Sequence, residues 1–220
     1  MAKVIIFGIR DLAELAHFYL TTDSEHEVVA FSVNREYVPE DNSFKGLPVI
    51  AFEEIEKKLL PTGYSFFAPM THKGMNKERE RIFNEIKNKG YNLINYISSR
   101  ATVFDNLIVG ENCFILEDNT LQPFVTIGSN TILWSGNHIG HHSKIGDHVF
   151  ITSHVVISGN CLIEPYCFIG VNTTLKENIM LGKASFIAMS TCITKNTEPY
   201  SIYSGNPAKK TDMSSLKIRE

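Results

Sequence analysis

Ile139-Gly140-His141-His142-Ser143-Lys144-Ile145-Gly146-Asp147-His148-Val149-Phe150-Ile151 returns to isoleucine at every sixth residue. Stepping outward by six in both directions meets Ile97, Val103, Val109, Ile115, Leu121, Ile127 and Leu133 on one side, and Ile157, Ile163, Ile169, Leu175, Leu181, Ile187 and Ile193 on the other. The run holds 17 consecutive positions that are all Ile, Leu or Val, whereas only 11 of the 80 positions between them are. At that local frequency, chance alignment occurs on the order of once in a billion, so the segment is an internal repeat. Two companion positions agree with it. Glycine follows the aliphatic at 110, 128, 140, 146, 170 and 182, where a turn needs positive φ or close backbone approach. The fourth residue after it is small or β-branched, as at Cys113, Val125, Thr131, Ser143, Val155 and Thr173. A helix would show a period of about 3.6 and a plain strand one of 2, so short strands joined by tight turns and stacked as a solenoid fit best.

Composition bounds the rest. The chain has 220 residues, 43% hydrophobic and 20% charged, which is globular. A net charge of −3 gives no basic footprint for nucleic acid or an anionic membrane. No stretch approaches the roughly 20 apolar residues of a membrane span, and MAKVIIFGIRDLAELAHF lacks the order of a signal peptide, so the expectation is a cytoplasmic protein. The four cysteines form no CxxC pair, and Cys113, Cys161 and Cys167 occupy the small-residue position of the repeat, which marks them as structural thiols.

The repeat resembles the hexapeptide-repeat, left-handed parallel β-helix family over residues 97–198. The resemblance implies that three hexapeptides close each triangular coil, that the lattice aliphatic fills the interior, and that the protein is a homotrimer. Seventeen repeats then make between five and six coils without an inserted loop.

Residues 1–96 carry no such period. Lys3–Gly8, Glu27–Val33, Tyr64–Phe67 and Tyr91–Asn95 read as strands; 11–19, 52–60 and 76–89 read as helices. Strands alternating with helices predict a small α/β, Rossmann-like domain with a mostly parallel sheet, which binds ligands beyond the carboxyl ends of its strands. The candidate loops are Gly8-Ile9-Arg10-Asp11, Asn34-Arg35-Glu36 and Ala68-Pro69-Met70-Thr71-His72. Helix N–H groups after Gly8 suit a phosphate, with Arg10 or Arg35 adding charge. A dinucleotide fingerprint would need glycine where Arg10 and Ala13 stand, which excludes that reading.

An α/β domain ahead of a hexapeptide solenoid resembles the bacterial nucleotide-sugar acetyltransferases of the sialic-acid and bacillosamine type. The matching residues are Val4-Ile5-Ile6-Phe7-Gly8, Asn34-Arg35 and Gly205-Asn206-Pro207-Ala208-Lys209. The family's first loop is usually richer in glycine and its second strand often ends in Asp; this chain has Arg10 and Asn34 there. The resemblance implies a nucleotide-linked amino sugar bound by residues 1–96, acetyl-CoA bound by residues 97–198, and a C-terminal tail over 199–220. Its expected cofactor contacts are Gly170, Ala188, Pro207 and Lys209, and it calls for no metal.

Five of eight histidines fall between 138 and 154. Acyl transfer from a thioester needs a base, and an imidazole with a pKa near ~6.5 suits neutral pH. His142, His148 and His154 share one phase at successive sixes, so they stand on three different faces. His141 lies one residue earlier, with Pro123 and Gly159 one coil away on either side; the missing side chain at Gly159 predicts open space for substrate. In the family the catalytic histidine occupies a segment matching 139–146, and the correspondence falls on His141. Family members commonly carry Glu next; here it is His142, and the orienting partner is expected to be an acidic residue such as Asp118 or a backbone carbonyl. The expected substrate set is Gly8, Ile9, Arg10, Asn34, Arg35, Met70, Thr71, His142 and Gly159.

Two other readings share the repeat. A γ-type carbonic anhydrase would hold zinc through three histidines across a subunit interface. A non-catalytic trimeric scaffold would bind no acetyl-CoA.

Overall fold

A computed structural model describes residues 1–218; Arg219 and Glu220, at the end of the expected tail, lie outside the described residues. The chain divides into two compact units, one of residues 1–71 and 81–96, the other of 72–80 and 97–220.

In the first unit the elements run β1 (Lys3–Phe7), α1 (Asp11–Thr22), β2 (Glu27–Val33), β3 (Ser43–Phe44), β4 (Leu47–Ala51), α2 (Ile55–Lys58), β5 (Ser65–Phe67), α3 (Lys77–Asn88) and β6 (Asn92–Leu93). The first turn of α3 groups with the second unit. The sheet order is β3-β4-β2-β1-β5-β6, parallel throughout except for the β3–β4 pair. Its continuous apolar runs, such as VIIF, follow from burial on both faces: Val4, Ile5 and Ile6 are fully covered. Ile5, Ala30, Phe52, Phe66, Ile82 and Ile86 are part of one core cluster.

The β3–β4 hairpin was not visible in the sequence reading. Its Lys45-Gly46 turn has φ of +52° and +77°, the geometry of a tight two-residue hairpin normally signalled by Asn-Gly. Pro48 at the start of β4 hides the strand further, because proline ordinarily argues against one.

The second unit is a left-handed parallel β-helix. Two-residue strands stack into three faces, each strand pairing in parallel with the one a coil later, as in Thr120↔His138, Thr126↔Lys144 and Ile132↔Phe150. The lattice aliphatics from Ile115 to Ile193 are all buried in one cluster with Cys113, Cys161 and Cys167. The open first coil departs from the pattern. Val103 is 43% exposed, and its hexapeptide meets the next coil through an isolated bridge from Thr102 to Thr120 in place of a two-residue strand.

The companion positions acquire physical reasons. A Cβ on Gly128 would lie 2.6 Å from the backbone nitrogen of Asp147, and one on Gly140 would lie 2.5 Å from that of Gly159. Neither glycine has positive φ, so this position is chosen for close approach of the next coil. Positive φ falls instead two residues later, at Asn112, Asn130, His142, His148, His154 and Asn160 among others. The small residue satisfies a carbonyl 15 residues on: Cys113 Sγ donates to Gly128 (3.1 Å), Thr131 Oγ1 to Gly146 (3.0 Å), Ser143 Oγ to Ser158 (3.1 Å) and Cys167 Sγ to Gly182 (3.3 Å). Burial pushes the Cys113 and Cys167 thiols up to about 12, which leaves them protonated and unreactive at neutral pH.

Three successive outward residues of one face are aromatic. Phe150, Phe168 and Phe186 stack at 5.8 and 4.6 Å, and His72 lies against the first two. Arg79 is fully buried against the same unit, its guanidinium donating to the carbonyls of Asn130 (3.1 Å), His148 (3.1 Å) and Val149 (3.2 Å). Desolvation lowers its pKa to about 9, still well above neutrality.

Residues 199–214, expected as a tail outside the repeat, extend that face. Ser201–Ser204 pairs in parallel with Phe186–Ile187, and Lys209–Ser214 turns back antiparallel. Tyr203 and Ala208 pack against the prism core and close its end, an apolar role the expectation of a tail did not include.

Candidate functional site

His141 and His142 stand exposed at one corner of the prism. Their backbone is pinned on every side: the His141 N–H donates to Gln122 Oε1 (2.8 Å), the His141 carbonyl accepts from Asn160 (2.9 Å), and the His142 N–H donates to the Pro123 carbonyl (3.2 Å). Gln122 occupies the position that glycine fills in six of the 17 repeats; Glu164 occupies the same position and accepts from the Lys183 N–H at 2.6 Å. A side-chain acceptor thus replaces the close approach. Phe124, one coil before His142 and also at positive φ, lies 4.6 Å from its ring at 34°.

The two imidazoles meet through Nδ1, 3.1 Å apart, with their planes nearly perpendicular. The partner of His141 is therefore His142, where Asp118 or a backbone carbonyl was expected. His141 Nε2 has no hydrogen-bond partner among the described residues. The space over Gly159 is not open as expected: a Cβ there would come within 2.7 Å of both Cε1 and Nε2 of His141. The imidazole itself fills that space, and glycine at 159 is what lets the ring lie down on the next coil.

The other histidines do not converge on this pair. His142, His148 and His154 occupy three different corners, each at positive φ. His138 lies on a strand between Thr120 and Val156. His148 is buried, its Nδ1 2.9 Å from Asn130 Nδ2 and its ring stacked on Tyr166. Asn112 donates to Asn130 Oδ1 at 2.8 Å, which orients the Asn130 amide as donor to His148 and places the imidazole proton on Nε2, 3.9 Å from Glu80. Among the described residues, no group of three or more His, Cys, Asp or Glu is placed to hold a metal ion.

In the α/β unit, Gly8 has φ of +118° and its N–H donates to Ser32, so the chain turns sharply from β1 into α1. Arg10 caps α1 without a side-chain bond, and Ile9 is half-buried beside it. The helix's first turn carries Asp11 and Glu14, which oppose an anion there, although Lys45 pairs with Glu14 at 2.7 Å. Asn34 opens onto a cleft of about 420 Å³ at the carboxyl ends of β2 and β4, lined also by Phe52, Glu53, Arg81, Glu85, Asn88 and Lys89. Arg35 is not in its wall. Its guanidinium pairs with Glu54 at 2.6 Å, an ion pair that lowers the Glu54 pKa, while its N–H donates to Glu53. Met70 packs against the core and Thr71 is exposed; neither lines the cleft. Arg81 and Lys89 were missed because α3 reads as a solvated amphipathic helix, and only the fold brings it to the ends of β2 and β4.

Of the expected cofactor contacts, Gly170 donates to Ile187 (2.8 Å) and Ala188 to Tyr203 (2.9 Å), so both amides are used by the coil ladder. A side chain on Gly170 would meet Ala188 and Met189, so these residues offer shape rather than free N–H groups. Pro207 and Lys209 are exposed near the end hairpin. A second cleft of about 490 Å³ there is lined by Tyr200, Ser201 and residues 210–214, without either of them.

Fold and corner together define a hexapeptide-repeat left-handed β-helix with an α/β unit before it. Residues 124–159 match the family model described as bacterial transferase hexapeptide, six repeats. Three solved structures share the fold across nearly the whole chain. A variant of perosamine N-acetyltransferase from Caulobacter crescentus, in complex with CoA and GDP-perosamine, superposes with a TM-score of 0.84 at 18% identity, covering 97% of this chain and 98% of that one. The acetyltransferase domain of PglB from Neisseria gonorrhoeae FA1090 gives 0.82 at 20% identity over 96% and 100%. WeeI from Acinetobacter baumannii AYE gives 0.71 at 18% over 96% and 100%. Among curated proteins, a probable macrolide acetyltransferase from Lysinibacillus sphaericus is 49% identical over 41 residues, 19% of this chain; the match spans 23% of that relative's length.

Proposed function

We propose that the chain transfers the acetyl group of acetyl-CoA to an amino (or hydroxyl) group of a nucleotide-linked sugar. The observation that carries the reading is the His141 imidazole, pinned at an exposed corner with Nε2 unengaged. Similarity to structures that hold CoA and GDP-perosamine supports the substrate class. In this reading His141 Nε2 takes the proton of the attacking amine as nitrogen bonds to the thioester carbon; the carbon–sulfur bond breaks, the sulfur receives that proton from the imidazolium, and CoA leaves as the thiol with His141 neutral again. No cysteine nucleophile is needed, consistent with the protonated, buried thiols.

Residues 1–96 are taken as the nucleotide-sugar-binding domain, 97–198 as the acyl-transfer domain and 199–220 as its C-terminal segment. In the 420 Å³ cleft Arg81 and Lys89, paired with Glu85 (2.6 Å) and Glu56 (2.5 Å), are the cations a phosphate would draw on, and Asn34 and Glu53 the polar groups beside them. A homotrimer is supported by aliphatics left outward on the prism, among them Val156, Leu162 and Met189. Among the described residues no helix is long and apolar enough to cross a membrane, and in this reading the protein is cytoplasmic.

Calorimetric titration tests the reading, with acetyl-CoA first, in chelator-treated buffer, then UDP, dTDP and GDP. Micromolar acetyl-CoA binding with one preferred nucleotide is expected. Binding to none of them overturns the proposal.

A further inference from the structure

We propose that His142 is the positioning residue that holds His141 in the tautomer a general base requires, an inference whose kinetic consequence rests on the acetyl-transfer reading. Two ring nitrogens 3.1 Å apart must share one proton, since two N–H groups or two lone pairs facing each other would repel. With His141 Nδ1–H donating to His142 Nδ1, the lone pair of His141 sits on Nε2, the nitrogen without a partner among the described residues. A proton arriving at Nε2 then makes an imidazolium whose Nδ1–H stays bonded to a neutral acceptor. No carboxylate pairs with either ring among the described residues, so His142 alone can fill this role from within the chain.

The surroundings hold His142 ready for it. Its backbone sits at φ +61°, its N–H is bound to Pro123, and its ring lies against Phe124 at 4.6 Å. The Phe124 contact is ring against ring, which leaves Nδ1 for His141. A histidine that served only to fill the corner would have no need to aim Nδ1 at its neighbour.

The test is long-range proton–nitrogen NMR on the full chain labelled with 15N-histidine, recorded where both rings are neutral. His141 is expected to carry its proton on Nδ1 and His142 on Nε2. In His142→Ala, which removes the acceptor at a positive φ that Ala184 also adopts in the repeat, His141 should lose its Nδ1–H preference. There kcat should fall roughly 10- to 100-fold, the scale seen for partners that orient metal-bound histidines, with the KM for acetyl-CoA unchanged. His142→Glu, which restores an acceptor, should recover most of kcat. A wild-type His141 protonated on Nε2, or an unaltered tautomer and kcat in His142→Ala, would overturn the proposal. The expected tautomer in a protein that acetylates no nucleotide sugar would sustain the pairing and overturn the acetyltransferase reading instead.

Discussion

Gly128 and Gly46 are both glycine for steric reasons, and the reasons are opposite. At Gly128 the backbone conformation is ordinary, but a Cβ would strike Asp147 and Gly146 in the next coil at about 2.6 Å. At Gly46 nothing lies within 4 Å of a Cβ, yet φ is +77° because the β3–β4 hairpin turns there. The prism is governed by what the chain meets one coil later, the α/β unit by what the chain does locally. A repeat turns the first kind of constraint into a fixed spacing, so long-range packing in the prism leaves a mark in the sequence that long-range packing in the sheet does not.

The sharpest division between the regions is chemical. His141→Ala should lower turnover by on the order of 10²- to 10⁴-fold, the usual share of a general base, while acetyl-CoA and nucleotide affinities measured by calorimetry stay unchanged. Lys89→Ala in the α/β cleft should do the reverse, weakening nucleotide binding with kcat retained. Similar losses of kcat in both variants would show that the two regions do not divide the work in this way.

Legibility followed the same division. The interior of the prism was readable because every coil repeats one environment, and His141 could be ranked because phase separates it from His142, His148 and His154. Val103 kept the pattern but lost the burial, since an end coil has a neighbour on one side only. Two partners across the corner were not readable: Gln122 under His141 and the Nδ1 contact depend on rotamers that spacing does not encode, whereas Phe124 against His142 follows from the 18-residue coil. In the α/β unit the strands β1 and β2 were legible from their apolar runs. The cleft was not, because its walls come from β2, β4 and α3, which only the fold brings together.

Stability mutants test the repeat itself. Ile151→Ala, inside the prism, should cost about 2–5 kcal/mol by thermal or denaturant unfolding. Val103→Ala, at the frayed end, should stay within roughly 0.5 kcal/mol. Equal costs would mean that the first coil is as closed as the rest. Gly128→Ala should cost about 1–3 kcal/mol through overpacking against the next coil. Gly63→Ala, at ordinary φ with its nearest neighbour 3.9 Å away, should be close to neutral.

The smallest effect separates the buried His148 of the prism from the half-buried His17 and His26 of the α/β unit by pH. Burial lowers the pKa of His148 in the prism, and of His17 and His26 in the α/β unit, below the ordinary 6.5; Glu80 opposes the shift at His148 only in part. The unfolded chain therefore binds these protons at higher pH than the folded one. Their contribution to stability is complete above pH 6.5 and is lost as pH falls below it toward the folded values. His148→Asn removes one such group without disturbing the corner, because Asn112 and Asn130 show that asparagine accepts both the positive φ and the ladder of side-chain bonds. Melting temperatures between pH 8 and pH 5 should fall less steeply in His148→Asn than in wild type. Parallel slopes would place the acid sensitivity with His17 and His26, in the unit whose packing the repeat does not govern.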